Sequence, residues 1–284
     1  MPPKSALALT GSTRPGTTQH RAESPTRVGI LVPWANTVVE DELPRLRPDA
    51  VVFHYARLVP PSETTALDAG FLDGIRAAVP AALASMRQLP LAGVLLACTS
   101  AGLTAPRHTI PDRTGSGLTA GSHTTDDSDV QRESGAGVVS AFDALTGALR
   151  RLGAGRIALA TPYPRSITER EADAFAGAGI TVTAHASLDL DDGYGTVAAA
   201  DITALAAEIP ASVLASADAL VLSCTGWPTL DVIPELERRL RMPVVSSNLA
   251  LAIHTAGLRD HHARTQPGRT GPAHTAEQHS GAHR

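Results

Sequence analysis

Twice in this chain a short apolar run ends at a cysteine that is followed at once by threonine. The first is Gly93-Val94-Leu95-Leu96-Ala97-Cys98-Thr99-Ser100. The second is Ala219-Leu220-Val221-Leu222-Ser223-Cys224-Thr225-Gly226. Short apolar runs bounded by turn residues are the pattern of buried strands. Open α/β sheets bind ligands beyond the carboxyl ends of such strands, which is where both thiols would stand. The chain of 284 residues has only these 2 cysteines, so the whole thiol complement sits in this one repeated context.

The repeat extends beyond the thiols. Val28–Val32 followed by Pro33-Trp34 matches Arg156–Ala160 followed, after Thr161, by Pro162-Tyr163 at an offset of 129, and Cys98 matches Cys224 at an offset of 126. Near-equal offsets for two landmark pairs point to two similar halves. Strand and helix patterns alternate throughout, which predicts parallel sheets with helices on both faces. We therefore expect an α/β fold of two pseudo-symmetric doubly wound half-domains, with the active site in the cleft between them. Strands are expected at 28–32, 51–56, 156–160, 180–184 and 243–245 besides the two cysteine runs. Helices are expected at 38–46, 71–86, 138–152, 168–177 and 201–215, in a segment ending at 241, and at 248–257. The halves are expected at 27–134 and 135–247, the first completed by a helix over 248–258. Residues 1–26 and 262–284 lack apolar periodicity and read as disordered tails. Residues 107–134 are polar and rich in Gly, Ser, Thr and Asp, and read as a mobile lid or an element that has lost its pattern.

Composition excludes several classes. The net charge of −4 offers no basic surface for nucleic acid, and no apolar run reaches the length of a membrane span. Only 3% of residues are aromatic, so the core must be built from Ala, Val, Leu and Ile. No secretory h-region is visible at the start, and two cysteines are few for a secreted scaffold, so a reducing cytoplasmic setting is expected. There is no phosphate loop, and Gly153-Ala154-Gly155 precedes its strand, so it is not a dinucleotide fingerprint. The thiols lack the close spacing of a zinc site, and the late histidines lie mostly in a Gly/Pro/Thr-rich tail. No metal and no cofactor are expected.

If the halves face each other, the two thiols flank one substrate. One can then take a proton while the other gives one, or one can attack an alkene while the other supplies a proton. Each candidate also has a structural reading. A buried cysteine is often an inert small hydrophobe. Asn36 caps the next helix or binds a ligand. Tyr163 is a core aromatic or a site hydroxyl. Thr99, Ser100 and Thr225 serve as helix caps, ligand contacts, or both.

Pro33-x-x-Asn36-Thr37, Ala97-Cys98-Thr99-Ser100, Thr161-Pro162-Tyr163, Ser223-Cys224-Thr225-Gly226 and Ser246-Ser247-Asn248-x-Ala250 together resemble the aspartate/glutamate racemase superfamily. Within it they are most similar to the branch of maleate cis–trans isomerases and arylmalonate decarboxylases. The resemblance covers about residues 27–258. It implies a cofactor-independent enzyme acting on a small carboxylate, with Cys98 as nucleophile toward a double bond and Cys224 handling the proton. It also implies that Pro33, Asn36, Thr99, Ser100, Tyr163, Thr225 and Gly226 surround the substrate. Decarboxylases of this branch have a small residue in place of the first cysteine, so the presence of both favours an isomerase. An amino-acid or hydantoin-type racemase, a decarboxylase and a non-catalytic carboxylate-binding protein stay as alternatives, and assembly of identical chains is left open. Three features depart from the branch: Trp34 beside the site, the stretch 107–134, and Asp191-Asp192-Gly193-Tyr194 where maleate isomerases carry an Asn.

Overall fold

The structure is a computed structural model that describes residues 24–61, 65–103 and 137–265. The stretch 107–134 and most of both expected tails lie outside the described residues.

The first sheet is built from β1 (Thr26–Pro33), β2 (Val51–Leu58), β3 (Gly93–Leu96) and β4 (Val138–Ser140), in the order β2-β1-β3-β4. Its helices are α1 (Val38–Leu46), α2 (Ala69–Met86), the single turn α3 (Thr99–Gly102) and α4 (Ala141–Leu152). The second sheet repeats the plan with β5 (Arg156–Thr161), β6 (Thr181–Ser187), β7 (Ala219–Leu222) and β8 (Val244–Ser246), in the order β6-β5-β7-β8. Its helices are α5 (Arg165–Gly177), α6 (Ala199–Glu208), the short α7 (Ala211–Leu214), α8 (Ile233–Leu240) and α9 (Ser247–Thr265). All strand pairs are parallel.

The register makes the symmetry concrete. Leu31 pairs with Leu96 across β1 and β3, and Ala160 pairs with Leu222 across β5 and β7. Two residues beyond these pairs stand Pro33 and Cys98 in one half, and Pro162 and Cys224 in the other. Each cysteine thus leaves its sheet at the same place, beside the point where the strand order reverses. That is where open α/β sheets bind ligands.

Several expected boundaries are corrected. Val138–Ser140 is a strand, not the start of a helix, and it pairs with β3. The first sheet therefore reaches past the division expected between 134 and 135. The helix starts after this strand because Ser140 accepts from the Asp143 N–H while the Asp143 carboxylate accepts from the Ser140 N–H, a capping box that leaves the β-branched pair before it extended. The helix expected over 201–215 breaks in two because Pro210 cannot continue it. The last helix runs to Thr265 rather than 257–258, continuing through Gly257. At the other end β1 begins at Thr26, one residue inside the expected tail.

β1, β3, β5, β7 and β8 are buried almost throughout and form one continuous core with the helices, while the edge strands β2 and β6 are only partly covered. Trp227, Tyr163 and Phe175 are among its largest fully enclosed side chains. The halves are joined where α9 packs on α4 and α1. Among the described residues no helix is long and apolar enough to cross a membrane.

Candidate active site

Cys98 and Cys224 end their strands as residues barely open to solvent, 6% and 5% exposed. Cys98 occupies the N-cap position of α3, with an extended backbone and Sγ 3.7 Å from the Ser100 hydroxyl. Cys224 Sγ accepts the Gly226 N–H at 3.3 Å. Burial pushes both thiols above their ordinary value, Cys224 to about 12. Opposing that push are the Ala101 N–H and Ser100 hydroxyl at Cys98, and the Tyr163 hydroxyl and Gly226 N–H at Cys224. Ionisation at Cys98 further resists ionisation at Cys224, so the two thiols are electrostatic neighbours across the two halves.

Tyr163 is fully enclosed and its hydroxyl is held well above the ordinary tyrosine value, by burial first and then by both cysteines and Glu171. It therefore stays a neutral hydrogen-bond donor beside the thiols. Tyr194 packs edge-on against it, with ring centroids 5.7 Å apart, and directs its hydroxyl to the Leu190 and Asp191 carbonyls. The segment that replaces the expected Asn thus contributes a ring to the site wall. Leu67 N–H reaches the Asp191 carbonyl at 3.0 Å, so the same segment touches the first half.

Asn36 caps the next helix and also reaches the second half of the chain. Its Oδ1 accepts the Val39 N–H at 3.2 Å at the start of α1, and its Nδ2 donates to Thr225 Oγ1 at 3.2 Å. Gly226 lies so close that a Cβ there would stand 3.6 Å from Asn36 Nδ2 and 3.7 Å from Cys224 Sγ. Pro33 turns the chain by accepting the Asn36 N–H at 2.9 Å. Trp34 packs on the core, half buried, and its buried Nε1 has no partner among the described residues.

Not every nominated hydroxyl is free to meet a ligand. Thr225 Oγ1 donates to the Ala97 carbonyl at 2.8 Å, and Thr99 Oγ1 pairs with Ser247 Oγ at 2.9 Å. Both bonds cross between halves, so these side chains hold the two strand ends together. The groups that do face the thiols are the Ala101 N–H and Ser100 hydroxyl at Cys98 and the Gly226 N–H at Cys224. Beneath this layer Asn248 Nδ2 donates to the Thr225 carbonyl at 3.1 Å and to Glu42 Oε2 at 2.7 Å.

Two residues behind the thiols escaped sequence reasoning. Ser223 donates its hydroxyl to Glu171, and Glu171 is completely buried on α5. The one clue was the helical spacing of Ile167, Glu171 and Phe175, which puts the carboxylate on an apolar stripe. Among the described residues there is no group of three or more His, Cys, Asp and Glu that could hold a metal ion.

Fold and site define a two-half parallel α/β protein with a buried thiol ending the third strand of each half. A family model for arylmalonate decarboxylase matches residues 124–270, just over half of the chain, and the chain belongs to the arylmalonate decarboxylase family, within the Asp/Glu racemase-like superfamily. The arylmalonate decarboxylase of Bordetella bronchiseptica is 38% identical over 128 residues, 44% of this chain and 52% of that protein, so this match spans about half the relative's length. The maleate isomerase of Geobacillus stearothermophilus is 28% identical over 235 residues, 78% of this chain and 86% of that one. Among solved structures, the chain is similar to a Cys-to-Ser mutant of Nocardia farcinica maleate cis–trans isomerase with a covalently bound succinylcysteine intermediate. That match has 25% identity and a TM-score of 0.65, covering 83% of this chain and 93% of the other. A mutant of arylmalonate decarboxylase in a sulfate-associated form matches with 29% identity and a TM-score of 0.59, covering 82% and 94%.

Proposed function

We propose that the chain is a cofactor-independent isomerase of a small carboxylate, with a maleate-like cis–trans isomerisation as its reaction. The observation that carries this reading is the pair of thiols, Cys98 and Cys224, at equivalent strand ends and within electrostatic reach of each other. The succinylcysteine in the Nocardia relative is the adduct that such a pair would form with maleate.

The chemistry follows from the pair. Cys98 as thiolate adds its sulfur to one alkene carbon, forming a C–S bond, while the other alkene carbon takes the proton of the Cys224 thiol. The central bond is then single and rotates. Cys224, now a thiolate, removes a proton from the same carbon, the C–S bond breaks, and the trans alkene leaves. Nothing is gained or lost overall. Burial first, and a Cys98 thiolate in addition, keep Cys224 protonated for its role. Asn36, the Tyr163 and Ser100 hydroxyls and the backbone N–H groups of Thr99, Thr225 and Gly226 are the groups we assign to the substrate carboxylates. Strand-to-helix turns hold anions in this way without arginine. A cytoplasmic setting is part of this proposal, supported by the low cysteine content, 2 in 284 residues.

A decarboxylase reading is favoured by one observation, the 38% identity to the Bordetella arylmalonate decarboxylase over 128 residues. The deciding experiment offers the purified chain maleate and an arylmalonate in parallel and follows both by NMR. Fumarate formation without carbon dioxide release supports the isomerase. Carbon dioxide from the malonate with maleate untouched would transfer the chain to the second reading.

A further inference from the structure

We propose that Glu171 is a positioning residue for Cys224: its buried carboxylate, tied to the strand end through Ser223, keeps the Cys224 thiol protonated so that it acts as an acid and not as a second nucleophile. This rests on the reading of Cys224 as the proton-handling thiol.

The geometry begins with the backbone. Ser223 N–H bonds the Ala160 carbonyl at 2.9 Å, so the extended chain of β7 continues through it. Neighbouring side chains on an extended chain point to opposite sides. Cys224 therefore faces the cleft while Ser223 faces back toward α5, where its hydroxyl reaches Glu171 Oε1. Glu171 has no solvent exposure, and its second oxygen, Oε2, has no partner among the described residues. A carboxylate kept only for structure would be expected to satisfy both oxygens, because burying an unpaired one is costly. Here half of the group is left open on the apolar side of a helix, directly behind the site.

Its surroundings leave its charge to act on the thiol. On α5 itself Arg165, Glu169, Arg170 and Asp173 face solvent. On β6, which α5 packs against, His185 is exposed. From α4, Phe142 meets Phe175 at 4.9 Å between ring centroids, while Asp143 is exposed. At the strand ends the titratable and charged groups are Tyr163, Tyr194, Cys98 and Cys224, with Arg76 beside Cys98. Burial is the first cause that resists ionisation of Cys224 and Tyr163, and Glu171 adds to it at both. Burial raises Glu171 itself to about 7, against the Ser223 hydrogen bond that lowers it. Its charge therefore develops near neutral pH, in the range where an enzyme at neutral pH works.

The test reads the thiol directly. In a Cys98→Ala chain Cys224 is the sole cysteine, and its alkylation by iodoacetamide is followed as a function of pH. Glu171→Gln removes the charge, so the titration of Cys224 should move down by about one pH unit, making alkylation about tenfold faster at a given pH. Glu171→Asp keeps the charge and should stay nearer the parent. Should the Glu171→Gln variant fail to fold by circular dichroism, the parent profile carries the test: its rise with pH should flatten near neutrality, as Glu171 ionises, before rising again. Equal Cys224 titrations in the folded parent and the folded Glu171→Gln chain, or in the second case an unbroken rise through neutral pH, would overturn the proposal. No substrate enters this measurement, so a shifted thiol in a chain that leaves maleate untouched would spare the role of Glu171 and sink the isomerase reading. An isomerase with an unshifted thiol would do the reverse.

Discussion

At the scale of single residues, two similar thiols should have unequal roles. Cys98→Ala should abolish maleate turnover, because without the C–S bond the central bond keeps its double-bond character. Cys98→Ser should fail as well, since a hydroxyl is a far weaker nucleophile at neutral pH. Cys224→Ala should cost about 10²–10⁴-fold, the usual contribution of a positioned acid or base. NMR turnover by each purified variant, with folding checked by circular dichroism, reads all three. The thiols were legible from sequence because each closes an apolar run, and Asn36 and Tyr163 because they follow strand ends directly. Glu171 was not legible. A glutamate in a helical pattern ordinarily marks the solvent face, and its spacing from Ile167 and Phe175 is too weak a signal to outweigh that until packing shows all three buried. Thr99 and Thr225 were found, but their hydroxyls turn to the seam, a direction that strand periodicity does not encode past the last paired residue.

At the scale of elements, the thiol of the first half depends on how α3 meets β4. A Cβ at Gly102 would stand 2.7 Å from the Ser140 side chain, so Gly102→Ala should push α3 away and disturb Thr99 and Ser100 with it. We expect reduced turnover from that variant, seen against an unchanged Gly147→Ala control, a position with open space around its Cβ. Ser140→Ala removes the capping box of α4 and should cost about 1 kcal/mol in urea denaturation. The packing of α9 on α4 gives a pH dependence. His254 on α9 is lowered to about 4, by burial first and then by Arg151, with Asp143 opposing. A depressed value means that the unfolded chain binds the proton more readily than the folded one. The contribution is therefore fully present above the ordinary value of 6.5 and is lost as pH falls from there to about 4. Thermal melts from pH 7 to pH 4 should show a smaller decline for His254→Gln than for the parent. The β3-to-β4 pairing was the element hardest to foresee. Val138–Ser140 is only three residues long and runs straight into a helix, so its apolar residues read as the first turn of that helix.

At the scale of the whole molecule, the site exists only while both halves are docked. Sequence offsets of 129 and 126 were enough to expect the duplication, and the matched registers of the two sheets explain them. What sequence could not supply was the lock between halves, since its partners lie far apart in the chain. Glu42 on α1, buried, accepts the Leu230 N–H at 2.7 Å and the Asn248 amide at 2.7 Å, and Asn248 in turn holds the Thr225 carbonyl beside Cys224. Glu42→Ala strips two buried donors of their acceptor, at about 1–3 kcal/mol for each one left unpaired. Chemical denaturation followed by tryptophan fluorescence should show that loss, with a drop in turnover before unfolding as Thr225 loosens. The central claim is that docking brings Cys98 to a substrate that Cys224 protonates from the other half. Intact-protein mass spectrometry of a Cys224→Ser variant incubated with maleate tests this most directly. The protein mass should rise by one maleic acid, with peptide mapping placing the addition on Cys98. A folded, maleate-binding variant that stays unmodified, or carries the addition at any other residue, would contradict it.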